Sequence, residues 1–182
     1  MRESLIRYFK VISQSLPVNE IAVLSIVLCL LAVVVWGFFR KRKGSKWTAA
    51  FFLVEYLIWI VSLVLLFRST MPERGHFLTP FWSYRSIPED VLMLPLVILN
   101  VLVFIPVGVL LGCAFDKMKW WKAVLLGGAF SFLIEVLQFA TKRGYAEFDD
   151  VFHNTLGCLI GFGLFAAFSA AARRLKRRRG AA

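Results

Sequence analysis

Acidic side chains and histidine are scarce in this 182-residue sequence: 11 Asp and Glu stand against 22 Lys and Arg, with 2 His. No Ser/His/Asp or Cys/His arrangement with a catalytic signature can be assembled from so few candidates. The three cysteines, Cys29, Cys113 and Cys158, are odd in number and each lies inside an apolar run. Neither a disulfide framework nor a zinc site is indicated, and no metal or cofactor is expected. Glycine-rich phosphate loops, heptad arrays, internal repeats and low-complexity linkers are missing too, which leaves one compact unit as the simplest organisation.

Apolar residues are what the chain has in excess. Hydrophobic side chains make up 59% of it and aromatics 15%, far above the composition of a water-soluble domain. Crossing about 30 Å of hydrocarbon takes about 20 apolar residues at 1.5 Å per residue. Five runs reach that length: 20–39, 47–67, 91–115, 121–140 and 154–172. The fold expected is therefore all-α, a polytopic membrane helix bundle of five transmembrane helices. The first run is followed by RKRKGSK instead of a small-residue cleavage site, so it is expected to stay as a span and not to be removed as a signal peptide. Residues 1–19 interleave Leu5, Ile6, Tyr8, Phe9, Ile12 and Leu16 with Arg2, Arg7 and Lys10, the pattern of either a short interfacial helix or a free tail.

The formal charge of +11 raises nucleic acid as a partner, but the basic residues cluster at span ends. The stretches 40–46, 117–122 and 173–179 hold 14 of the 22 Lys and Arg residues. This is a topology signal: basic loops stay in the cytoplasm, and the RRLKRRR tail anchors there. The loops 68–90 and 141–153 mix both signs and are assigned outside. With five spans the N-terminus is then outside and the C-terminus cytoplasmic. Four segments result: 1–19 outside, 20–46 with the first span and its basic loop, the membrane domain 47–172, and the tail 173–182. The expected partner is the lipid bilayer, not nucleic acid, and the oligomeric state is not fixed by the sequence.

A polar side chain in hydrocarbon costs free energy unless it is paired or wetted. Several converge at one depth. The third span places Asn100 about 13 Å in from the outside. The fourth carries Ser131, Glu135 and Gln138 on one face near its outer end, and the fifth begins with Asp149, Asp150 and Asn154. Arg143 lies in the loop between these faces. Carboxylates and amides beside an arginine suit a bound ion, an anionic headgroup or an acid/base site. The competing reading is structural: Glu135 paired with Arg143 or Arg68, Asp150 capping the last helix, Asn154 bridging helices. Glu55, about 12 Å into the second span, has no ionisable partner at mid-depth on another span and argues weakly for transport. Gly108 with Gly112, and Gly157 with Gly161, are GxxxG pairs that allow close helix packing, and Pro106 is expected to bend the third span.

These residues resemble the VanZ-like membrane proteins. The resemblance begins at RST and FWSYR (68–70 and 81–85) and sharpens at NVLVFIPVGVLLG (100–112). It continues through SFLIEVLQF and ends at EFDDVFHNTLGCLIGFG (147–163), covering about 50–165 and leaving out the first span and the basic tail. It implies a cell-membrane protein of a Gram-positive-type envelope, linked in some members to resistance to teicoplanin-type glycopeptides. The polar positions Asn100, Glu135, Gln138, Asp150 and Asn154 fall within it, whereas Arg143 stands further from the acidic pair than the family pattern implies. The function expected is an outer-leaflet site for a polar ligand such as an anionic lipid headgroup or a cell-wall precursor. A membrane-embedded enzyme acting on a lipid-linked substrate, or a scaffold without ligand, are the alternatives.

Overall fold

The structure is a computed structural model that describes residues 45–65, 70–87, 93–115 and 117–179. The expected first span, the N-terminal segment and Arg68 lie outside the described residues. Within them are four helices long and apolar enough to cross a membrane: α1 (Ser45–Leu65), α3 (Met93–Ala114), α4 (Trp120–Thr141) and α5 (Phe148–Arg179). A five-residue helix, α2 (Trp82–Ser86), lies between α1 and α3. Two short strands, β1 (His76–Phe77) and β2 (Ala146–Glu147), pair in parallel with His76 opposite Ala146 and Phe77 opposite Glu147. This small sheet and α2 depart from the all-α expectation, because two-residue strands and a one-turn helix leave no periodic trace in a sequence.

The four long helices match runs expected from hydropathy to within a few residues, except α5. That helix begins six residues before the expected span and continues to Arg179, so the residues assigned to a basic tail are helical as far as that point. No Gly-Pro or Pro breaker intervenes, Arg and Lys are good helix formers, and Asp149 and Asp150 in the first turn with Lys176–Arg179 in the last complement the helix dipole. At 32 residues it is about 48 Å long, well beyond the hydrocarbon core. Apolar side chains such as Phe51, Leu125, Phe132 and Leu164 face outward on these helices, as expected where the surrounding medium is lipid. Exposed Trp47, Trp120 and Trp121 sit beside Lys46 and Lys122 at the end away from the β pair, an arrangement that suits the headgroup interface.

The tightest packing is between α3 and α5, and the GxxxG pairs make it. A methyl group on Gly157 would fall on the carbonyl of Val101, and one on Gly161 on that of Ile105. From the other side, a methyl on Gly108 would strike the carbonyl of Cys158, and Gly112 receives the ring of Phe165. Backbone therefore lies on backbone, the geometry that gains dispersion energy where no hydrophobic effect drives helices together. Pro106 is buried inside an uninterrupted α3 and leaves the Leu102 carbonyl without its helical donor. Tyr56 of α1 donates to the adjacent carbonyl of Val103 at 2.9 Å, tying α1 to this weakened turn.

A Gly161→Ala substitution forces α3 and α5 apart and is expected to cost about 3 kcal/mol. Gly163→Ala, whose methyl would meet nothing within 4 Å, serves as the control and should melt like wild type in detergent.

Candidate functional site

At the end of the bundle that carries the β pair, the polar residues of the long helices are sorted by helix geometry. On α4, Ser131, Glu135 and Gln138 share the inward face and are 0%, 5% and 2% exposed. The helix then stops sharply. Lys142 takes a left-handed conformation (φ 57°), its N–H reaches the Phe139 carbonyl, and the Arg143 N–H reaches the Gln138 carbonyl at 3.0 Å. This is a Schellman-type end with lysine where glycine is usual. It turns the chain into β2, where Glu147 donates its N–H to Glu135 Oε2 at 2.8 Å and Ala146 donates its N–H to the Gly75 carbonyl at 3.1 Å.

Adjacent residues on a helix point about 100° apart, so Asp149 and Asp150 serve different neighbours. Asp149, fully buried, accepts from the backbone N–H groups of Phe81 (2.6 Å) and Ser83 (2.9 Å) and from the Ser83 hydroxyl. It thus supplies from α5 the N-terminal acceptor that α2 lacks in its own sequence, where Phe81 stands in a left-handed conformation (φ 59°). One turn on, His153 Nε2 hydrogen-bonds the Tyr84 hydroxyl at 2.7 Å. Asp149 and His153, four residues apart on α5, thus clamp α2 together. Asp150 and Asn154 form the other stripe: Asn100 Nδ2 donates to Asp150 Oδ1 at 2.6 Å, and Asn154 Nδ2 donates to Ser131 Oγ at 2.8 Å.

Asn100, Glu135, Gln138, Asp150 and Asn154 together line a cavity of about 80 Å³ between α1, α3, α4 and α5. Ile60, Val64, Val103 and Phe104 wall its apolar side. The volume holds several waters, or one hydroxyl, amide or ammonium group with its adjoining carbons. Of the eight residues expected from sequence, these five meet at the cavity, and Ser131 stands behind Asn154. Asp149 is turned to α2. Arg143 is outside the lining, with its guanidinium Nη1 donating to the Leu65 carbonyl at 2.5 Å, which ties the α4–β2 turn to the end of α1. Glu55 is exposed on α1, away from the cavity. His76 is exposed, edge-on to Phe139. The parts not foreseen are Ser83, Tyr84 and the Phe81 N–H; a WSY segment in a polar loop gives no sign of the helix it will contact.

The fold and site define a class: a multi-pass helical membrane protein with a small polar chamber at one end of the bundle. The chain belongs to the VanZ/LLP1 family, whose model matches residues 23–169. It is 30% identical over 125 residues to Protein VanZ of Enterococcus faecium, spanning 66% of this chain and 73% of that one. The match reaches back to residue 23, so much of the expected first span belongs to the family region, beyond the 50–165 of the sequence resemblance. No solved structure matches the chain at a significant level.

The clamp on α2 is expected to be cooperative. Asp149→Ala removes an acceptor of three hydrogen bonds and should cost about 3 kcal/mol, Ser83→Ala about 1 kcal/mol, and the double variant little more than Asp149→Ala alone. Melting curves of the four proteins in one detergent check this; strict additivity would contradict it.

Proposed function

We propose that this VanZ-family protein holds part of a polar envelope ligand in the cavity between α1, α3, α4 and α5. The supporting observation is the convergence of two carboxylates and three amides, from three helices, on one cavity large enough for a functional group but not for a whole lipid or precursor. The ionisable residues in that lining are Glu135 and Asp150, both hydrogen-bond acceptors when charged. Such a lining suits the hydroxyl, amide or ammonium portion of a lipid headgroup or cell-wall precursor better than its phosphate, which would meet like charge. Anionic character in the ligand, expected from sequence, therefore belongs to a part that stays outside the cavity.

The orientation proposed from the charge pattern puts this end of the bundle outside. Lys46, Lys117, Lys119, Lys122 and the six basic residues of 173–179 lie at the opposite end, and the positive-inside rule assigns that end to the cytoplasm. The cavity then opens at the depth of the outer leaflet, where lipid-linked precursors are displayed. Relation to VanZ brings teicoplanin-type glycopeptide resistance as the phenotype in which ligand capture would be read.

The test uses Glu135→Gln and Asp150→Asn, which preserve size and most hydrogen bonding. Each is expected to melt within a few degrees of wild type in detergent and to lack the stabilisation by extracted envelope lipids expected of wild type, about 2.7 kcal/mol for a ligand at a hundred times its Kd. Loss of stability before any lipid is added would assign the cluster to scaffolding instead. Undiminished lipid stabilisation in both variants would exclude the cavity as the site.

A further inference from the structure

On the other side of Glu135 the surface opens into a second, larger concavity. It has a volume of about 460 Å³ and runs between α4 and α5 beneath the β pair. This lies within the range of about 300–1,000 Å³ usual for ligand sites. Phe132, Val136 and Phe139 form its α4 wall at one-turn spacing, Phe148 and Val151 its α5 wall, and Leu78 closes it above. Both walls are helices long and apolar enough to span the membrane, so among the described residues the groove lies on a lateral face of the bundle, where lipid would meet it. Its polar residues are at the inner wall and the rim: Glu135, held by the Glu147 N–H, then Glu147 itself and His76. At the same rim the guanidinium of Arg74 lies over the Phe139 ring, 5.7 Å from its centroid.

We propose that this groove seats one chain of a phosphate-headed membrane lipid from the leaflet on this side, with the phosphate at Arg74. The chain covers the Phe132, Val136 and Phe139 stripe that the described helices leave open, and an arginine stacked on the last ring of that stripe is placed where a headgroup phosphate would emerge. The stack holds the guanidinium in place while leaving its N–H edge available for a bidentate bond to phosphate. The site goes beyond the cavity reading: apart from Glu135 it shares no residue with the cavity, and it takes the charged and oily parts of an amphiphile that the cavity does not suit.

The experiment is native mass spectrometry of the delipidated full chain titrated with dioleoylphosphatidylglycerol or, as the phosphate-free counterpart, dioleoylglycerol. One phosphatidylglycerol is expected to bind at least fivefold more tightly than dioleoylglycerol. Arg74→Gln, an exposed position outside every helix, should bring the two lipids level, and Val136→Trp, which fills the groove, should weaken both. A melting curve for Val136→Trp shows whether it is folded, and Val151→Phe fills the opposite wall if it is not. Equal binding of the two lipids to wild type, or phosphatidylglycerol binding unchanged in Arg74→Gln and in a folded groove-filling variant, would overturn the proposal. Asp150→Asn reports on the cavity alone, since Asp150 does not line the groove, so the two readings can fail separately.

Discussion

The backbone crossing of α3 and α5 is the constraint on which the rest depends. In lipid no hydrophobic effect drives helices together, so contact must come from dispersion between closely fitted surfaces and from hydrogen bonds. Gly108, Gly157 and Gly161 let carbonyls of one helix sit where side chains of the other would otherwise be. This fixes the depth and rotation of α5 against α3, and the Asn100–Asp150 hydrogen bond forms beside the crossing: Asn100 adjoins Val101, which Gly157 contacts, and Asp150 lies about two turns before Gly157. The same rotation aims Asn154 at Ser131 on α4, and it aims Asp149 and His153 at α2.

The first two turns of α5 thereby do two jobs. One stripe, Asp149 and His153, clamps α2 by giving its N-terminus an acceptor and its tyrosine a partner. The neighbouring stripe, Asp150 and Asn154, lines the polar cavity. Splitting adjacent aspartates in this way follows from helix geometry, in which successive residues point about 100° apart. It also explains how a cavity with two carboxylates can persist in a membrane: Asp150 is bonded to an amide, and Glu135 receives a backbone N–H from the strand that closes the α4–α5 turn. Glu135 stands at the boundary between the cavity and the lateral groove, so one side chain couples the polar chamber to the lipid-facing surface.

The long helices were legible in the sequence because about 20 consecutive apolar residues have few other uses. The GxxxG pairs were legible as packing for the same reason: small residues four apart on a membrane helix have a steric meaning. Depth and helical spacing brought Asn100, Glu135, Gln138, Asp150 and Asn154 together, and the structure places all five on one cavity. Asp149 was grouped with them because adjacency in sequence cannot tell which way an aspartate faces until the helix start is fixed at Phe148, six residues earlier than hydropathy places it. Its charge and its place in the loop between the polar faces suggest Arg143 for the site, whereas after the left-handed turn at Lys142 its guanidinium donates to the Leu65 carbonyl at the end of α1. The α2 clamp and the β pair were invisible: both are held by contacts more than 60 residues apart, in segments too short to carry a period.

The claim that matters most is that Glu135 and Asp150 face a ligand, not only each other's scaffolding. Infrared difference spectroscopy in the carboxylate region, recorded on the detergent-purified protein with and without envelope lipid extract, reads those groups directly. The account predicts a ligand-induced carboxylate band in wild type that loses intensity in Glu135→Gln and again in Asp150→Asn. A protein that the extract stabilises with no change in that region, or with a band unaltered in both variants, would contradict it.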